Sequence, residues 1–406
     1  MASRWVVGFN GARDQYQVPL ALYEIDGLCA FVTDLAFPSW FKKLPVVGNF
    51  LARRCLPPGM FFKTHICWRA LIYQINHYLK VSKRRGQLLK QVDRAISIKC
   101  KAIALRHSAN LFMYSYYTSD AFSGGNGLKK VMFQVHPLGG LVSELLRRDY
   151  EKYTQYIGWY EEEDENKLGD ADVSFLSQEW QSADFIVCAS EFTKRTLVYE
   201  GCSPDKVSVV PYGLAASVGH IECRINVSDG GKCRFLFVGQ GVQRKGLHHL
   251  LISWRSMSES FLDKSELIIV SRRLDPKMAE LANECEVSII SGVSDQGLQQ
   301  LYLDSDVFIL PSLVEGFGLV LLEALSYGCF LISTNNTGLQ DMRLTEDSYI
   351  CFDAGSISQL MGALNSTYSK FSAGLIHPHS IAKNVLKNQA VHFRKSIQSV
   401  MRGYEG

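Results

Sequence analysis

Short runs of apolar, mostly β-branched or aromatic residues recur along the chain, and each ends in a polar or glycine-containing loop. The first series reads WVVGFN at 5–10, CAFVTDLA at 29–36, KVMFQVH at 130–136, DFIVCAS at 184–190 and VSVVPYG at 207–213. The second reads CRFLFVG at 233–239, SELIIVS at 265–271, VSIISG at 287–292, DVFILPS at 306–312 and CFLIST at 329–334. A strand that is apolar throughout needs cover on both faces, and the segments between the runs have helical length. QVPLALYEI at 17–25 is one such segment, and Leu247, Leu250, Leu251 and Trp254 mark the buried stripe of another. This alternation predicts parallel sheets sandwiched by helices. The expected fold class is α/β, with two Rossmann-like doubly wound domains and an interdomain cleft. Residues 1–211 form the first domain and 233–379 the second. The stretch 212–232 lacks long apolar runs and ends in Asp-Gly-Gly, so it reads as the linker.

Composition narrows the class. The 406 residues suffice for two or three full cores, and a net charge of +3 argues against nucleic acid as a partner. Eleven cysteines lie scattered with no Cys-x-x-Cys pair, which suits a reducing compartment and speaks against a disulfide framework or a zinc site; no metal ligands are expected. The N-terminus turns polar too early for a signal peptide, and no apolar run reaches spanning length. The expected location is cytoplasmic, so the sequons at Asn226, Asn335 and Asn365 read as chance.

In open parallel sheets ligands bind beyond the carboxyl ends of the strands. That rule selects the loops at 11–17, 136–140, 190–194, 239–246, 291–295, 312–318 and 334–338. The loop GQGVQRKG at 239–246 matches neither the dinucleotide fingerprint nor the P-loop. It still joins a strand to a helix N-terminus, where free amides and the dipole favour an anion. Gly239, Gly241 and Gly246 let backbone approach closely, and Arg244 and Lys245 add positive charge. Taken alone, the loop reads more readily as a tight turn with two solvated cations. A second loop, LPSLVEGFGLVLLEALSYG, carries Glu315 before Gly-Phe-Gly and Glu323 inside the following helix. On that helix Glu323 shares a stripe with Leu319, Val320, Ser326 and Tyr327. A carboxylate in apolar company needs a partner, either sugar hydroxyls or a buried arginine. Asp304 and Asp306 have the spacing of an Asp-x-Asp pair, but they end a helix before a strand and read as capping or packing.

The spacing of Glu315 and Glu323 resembles the motif of retaining nucleotide-sugar glycosyltransferases with the GT-B fold, of the large family-4 type (glycosyl transferases group 1). SGVSDQGLQQLYLDSDVFILPS, STNNTG, FLFVGQGVQRKG and SADFIVCASEFTKRTLVYEGCSPDKVSVVPYG extend the likeness over most of 180–345. The resemblance implies a hexosyltransferase that acts with retention and needs no metal for catalysis. A nucleotide sugar, UDP- or GDP-linked, would enter as substrate, with no resident cofactor. It assigns Lys245 to the donor diphosphate, with Gly239, Gln240 and Arg244 in the same loop. The amides of Phe317, Gly318 and Leu319 would take the distal phosphate, Glu323 the ribose hydroxyls, and Glu315 the donor sugar. His136 would stand near that sugar, and 380–406 would form helices returning to the N-terminal domain. One departure stands out: the family usually has Arg where this chain has Gln240, which weakens the expected charge and keeps a non-catalytic or weakly active nucleotide-sugar binder as an alternative. A nucleotide-sugar epimerase is the other alternative.

The N-terminal half is expected to take the acceptor, a glycan, a lipid-linked sugar or a small molecule. Arg13, Asp14, Ser190 and Glu191 are candidate contacts. Residues 36–62 mix aromatics with Lys42, Lys43, Arg53 and Arg54, and 80–101 carries eight basic residues against Asp93. Both read either as an acceptor-binding insertion with solvated cations or as a peripheral membrane contact. The acidic run 161–165 reads as an exposed loop or helix face.

Overall fold

The computed structural model describes residues 3–43, 52–78, 85–124, 127–162, 178–214 and 231–405. Its first half contains β1 (Trp5–Gly8), β2 (Leu28–Thr33), β3 (Phe37–Pro38), β4 (Cys55–Leu56), β5 (Thr64–Ile66), β6 (Asn110–Tyr114), β7 (Lys130–Gln134), β8 (Phe185–Cys188) and β9 (Val207–Val209). The second half contains β10 (Cys233–Val238), β11 (Ser265–Val270), β12 (Ser288–Ile290), β13 (Val307–Leu310), β14 (Phe330–Thr334) and β15 (Tyr349–Phe352). Seven strands form one sheet in the order β5-β2-β1-β6-β7-β8-β9, and six form another in the order β12-β11-β10-β13-β14-β15. Every pairing in the two sheets is parallel. Both sheets share the doubly wound plan, in which the chain starts centrally, winds outward, then returns across the first strand.

Each apolar run read from the sequence contains a strand. The inner ones, β1, β13 and β14, are buried along their whole length. Three strands of the main sheets lie outside those runs. β5 and β15 are edge strands with half-open faces, so neither carries a continuous apolar signal. The buried β6 follows the 23-residue helix Arg85–His107 so closely that the two periodicities blur.

The halves meet along a buried apolar seam. Val142 and Leu146 of helix Gly139–Tyr153 and Phe192 of helix Glu191–Tyr199 pack with Leu313 and Val314. Helix Ala390–Glu405 lies on helix Gln17–Glu24, where Arg394 donates to Gln17 and pairs with Glu24, and Gln398 donates to the Ala21 carbonyl. The segment 212–232 falls largely outside the described residues; its visible start bonds Leu214 N to the Asn388 carbonyl at 2.8 Å.

Candidate functional site: the cleft beyond the two switch points

The loops after β10 and β13 flank the point where the second sheet reverses its winding, so topology alone brings 239–246 and 311–318 together. Gln243–Lys245 forms a 3-10 turn that Gly246 closes in the left-handed region, at φ 66°. A β-carbon there would lie 2.0 Å from the Pro311 carbonyl oxygen, so the two loops approach only because position 246 is glycine. The Arg244 carbonyl accepts the amides of Leu313 at 2.9 Å and Val314 at 3.2 Å. This stitching delivers Lys245 Nζ to Glu315 Oε2 as a largely buried ion pair. Burial works to raise the Glu315 carboxyl, but Lys245 and Arg244 outweigh it and hold it below the ordinary value.

The glycine amides of the first loop bond within the protein. Gly239 N donates to Val270 O, Gly241 N to Arg273 O and Ser271 Oγ, and Gly246 N to Gln243 O. The groups this loop offers the cleft are therefore side chains, Arg244 and Lys245, rather than an amide nest. Gln240 is exposed beside them.

Gly318 caps helix Leu319–Ser326 at φ 87°, and no side chain caps that N-terminus. Phe317 just before it is buried and fixed edge-on against Tyr212 at 5.6 Å, while Tyr212 packs on Phe393 of the C-terminal helix. Glu323 lies on the outward side of this helix: Leu319 is 44% exposed, and Val320 and Ser326 are half-open. Its partner within the protein is a tyrosine rather than a buried arginine: the Tyr302 hydroxyl donates to Glu323 Oε2 at 3.2 Å. Burial, with Asp295 nearby, pushes the Glu323 carboxyl upward against that hydrogen bond.

The facing wall belongs to the first sheet. Gly316 sits against the loop after β7: a β-carbon there would meet Val135 O at 2.7 Å. Ser190 Oγ donates to the Gly316 carbonyl at 2.6 Å, which puts Ser190 at the domain junction, and the Glu191 amide donates to Asp341 at 3.2 Å. His136 opens to solvent in the cleft. The protein crowded around it, then the cations Arg13 and Arg244, push its imidazole down to about 4, with Glu315 opposing. Four strand-end loops thus bring Arg13, Arg244 and Glu315 within electrostatic reach of His136, and Lys245 and Arg244 within reach of Glu315.

Around Arg13 the first loop is bent unusually. Asp14, Gln15 and Tyr16 all take left-handed backbone, with φ of 42°, 52° and 64°. Asp14 accepts from the Tyr114 hydroxyl and from Gln17 N, and burial pushes its carboxyl up to about 7. Asp34, buried at the end of β2, accepts from Gly11 N at 2.8 Å and from Arg54 at 2.9 Å, tying the segment of β4 to the same loop. Asp306 Oδ2 accepts the Arg234 amide, a packing role. Of the two basic segments, 44–51 and 79–84 lie outside the described residues, as do 163–165 of the acidic run. The described part of the first exposes Trp40 and Phe62.

Residues 222–384 match the family model described as Glycosyl transferases group 1. The chain shows 23% identity over 233 residues to the MMP alpha-(1->4)-mannosyltransferase of Mycolicibacterium hassiacum, covering 54% of this chain and 53% of that protein. A glycogen synthase of Flavobacterium johnsoniae is 27% identical over 145 residues, 34% of this chain and 31% of its own. The chain thus spans about half or less of the length of such curated relatives. The whole chain superimposes on a sucrose-phosphate synthase from Thermosynechococcus elongatus with a TM-score of 0.65, 14% identity and 99% of each chain covered. A lipopolysaccharide outer core galactosyltransferase gives 0.60, 14% and 99% of each. The architecture is the GT-B fold.

Proposed function

We propose that this protein transfers a hexosyl group from a nucleotide sugar to a glycan or lipid-linked acceptor, with retention of anomeric configuration. The observation that carries the reading is the pairing of Lys245 with Glu315 by two loops at one switch point, facing His136 across the cleft. The diphosphate would sit between Lys245 and the uncapped helix end at 317–319, so charge developing on the leaving group meets fixed cations and amide dipoles. Lys245 would exchange Glu315 for phosphate oxygen, which frees the carboxylate to hydrogen-bond the sugar. Glu323 would accept the ribose hydroxyls in place of the Tyr302 hydroxyl. As the bond from anomeric carbon to phosphate oxygen breaks, the departing oxygen takes the acceptor proton, and the acceptor oxygen bonds the same face of that carbon. His136, neutral at pH 7, would donate or accept a hydrogen bond at the sugar without adding charge. Arg13 and Arg244 supply positive charge where Gln240 supplies none. No residue is assigned as a covalent nucleophile, and the charge at the leaving group is met by the chain's own cations.

A lipid-linked acceptor is favoured by the N-terminal surface. Trp40, Phe62 and Trp68 are 57%, 86% and 67% exposed, Ile72 and Ile75 follow on helix Trp68–Tyr78, and the same stretch of chain carries Lys42 and Arg53, the latter paired with Asp295. Among the described residues no helix is long and apolar enough to cross a membrane, so this contact would be peripheral.

Incubation with UDP-, GDP- and ADP-sugars, with and without acceptors, tests the reading through release of nucleoside diphosphate. Acceptor-stimulated release from one donor is expected. Tight binding without release would instead mark a nucleotide-sugar binder, a reading that Gln240 motivates, and isomerised donor would mark an epimerase.

A further inference from the structure

The seam between the domains holds a cluster that the proposed transfer does not use. Asp149, on helix Gly139–Tyr153, points its two carboxylate oxygens at a neighbouring pair on helix Leu247–Arg255 of the other domain. Oδ2 lies 2.9 Å from His248 Nε2, and Oδ1 lies 2.7 Å from His249 Nε2. All three side chains are buried, and their ligand atoms lie within 4.8 Å of one another. Gln243 Nε2 donates to Asp149 at 2.9 Å and to the Leu146 carbonyl at 2.7 Å, which orients the carboxylate.

Hydrogen bonding does not satisfy this cluster. His248 Nδ1, both nitrogens of His249, Gln243 Oε1 and Ser253 Oγ are buried without a hydrogen-bond partner. Buried polar atoms are rarely left so, and their concentration at one place signals a missing occupant. His249 Nε2 faces Asp149 Oδ1 at short range yet makes no well-formed hydrogen bond with it. The convergence of imidazole nitrogens and carboxylate oxygens at one buried place suits a cation.

We propose that Asp149, His248 and His249 bind a divalent cation of the zinc type, which pins the two domains together. Two imidazoles and a carboxylate are a borderline-soft N,N,O set that zinc accepts, with bonds of about 2.0–2.2 Å. Tetrahedral ligands at such bond lengths stand about 3.4 Å apart, so the 2.7 and 2.9 Å contacts of Asp149 open by about 0.5 Å to admit the ion. Gln243 Oε1 or a water completes the shell. The ion would be structural: helix Leu247–Arg255 begins directly after Gly246, so fixing its first turn against Asp149 also fixes the Lys245 loop against the opposite domain.

The test uses the full chain stripped with chelator and dialysed. Added Zn²⁺ should bind at one equivalent per chain by elemental analysis and raise Tm, and Co²⁺ should give visible absorption from a nitrogen-ligated site. His249→Ala should lose both responses. If wild type binds no more metal than His249→Ala, and Tm ignores zinc, the cluster is a hydrogen-bonded seam and the proposal fails. Should the variant not fold, the wild-type Co²⁺ spectrum decides alone, and its absence overturns the site.

Discussion

At the scale of single residues, the pair Lys245–Glu315 joins a cation that the loop composition announced to a carboxylate whose spacing from Glu323 announced it. Neither position reveals that they meet; that follows from strand order. Replacing Lys245 with Ala should lower donor turnover ~10²–10³-fold, on the scale of losing one preorganised stabiliser of developing charge. Steady-state release of nucleoside diphosphate reads this, and a near-normal rate would remove Lys245 from the phosphate site. Asp14 offers a second prediction that does not depend on function. Its carboxyl rises from 3.8 to about 7 in the fold. A raised acid contributes its stability below 3.8 and loses it as pH climbs through about 7. Asp14→Asn cannot ionise, so its Tm relative to wild type should improve by several degrees between pH 4 and pH 8. A pH-independent difference would refute the assignment. The sequence marked Asp14 only by its loop; Tyr114, 100 residues away, which makes the site, left no sign there.

At the scale of elements, glycines that looked suited to phosphate serve mainly to let protein approach protein. Gly246 meets Pro311, and Gly316 meets Val135 across the domain boundary. Gly316→Ala should therefore displace the loop carrying His136 while leaving the second-domain loops intact. Turnover is expected to fall at least ~10-fold with nucleotide affinity held within about threefold, since misplacement costs rate before binding. Equal loss of both would show that the contact does not position the cleft. Helix Leu319–Ser326 makes the complementary case. Glu323→Ala should weaken nucleoside diphosphate binding ~10-fold, as expected for a hydrogen bond to a charged acceptor, with little change in Tm because the side chain is half-open. Unchanged affinity by calorimetry would count against a ribose contact. The apolar stripe was legible in the sequence, yet its direction was not. Only the packing of Tyr302 and Phe317 shows that Glu323 faces outward.

At the scale of the molecule, the two doubly wound sheets were readable because interior parallel strands write themselves as continuous apolar runs. Edge strands such as β5 and β15 were not, since half-open strands lack that signature. The seam of Asp149, His248 and His249 was equally silent: adjacent histidines on a helix mean little until another domain supplies the carboxylate. The exposed aromatics of the first domain lead to a prediction at this scale. The protein should co-sediment with vesicles containing anionic lipid, release at high salt as screening grows, and ignore neutral vesicles. Trp40→Ala with Phe62→Ala should weaken that binding several-fold, and equal binding to neutral vesicles would contradict the electrostatic part.

The cleft beyond β10 and β13 is proposed to hold the diphosphate of a nucleotide sugar. A crystal structure with bound nucleoside diphosphate tests this most directly. The distal phosphate is expected at Lys245 and the amides of 317–319, the ribose at Glu323, and Glu315 released from Lys245. A nucleotide bound at the loops of the first sheet, with the Lys245–Glu315 pair intact, would contradict it.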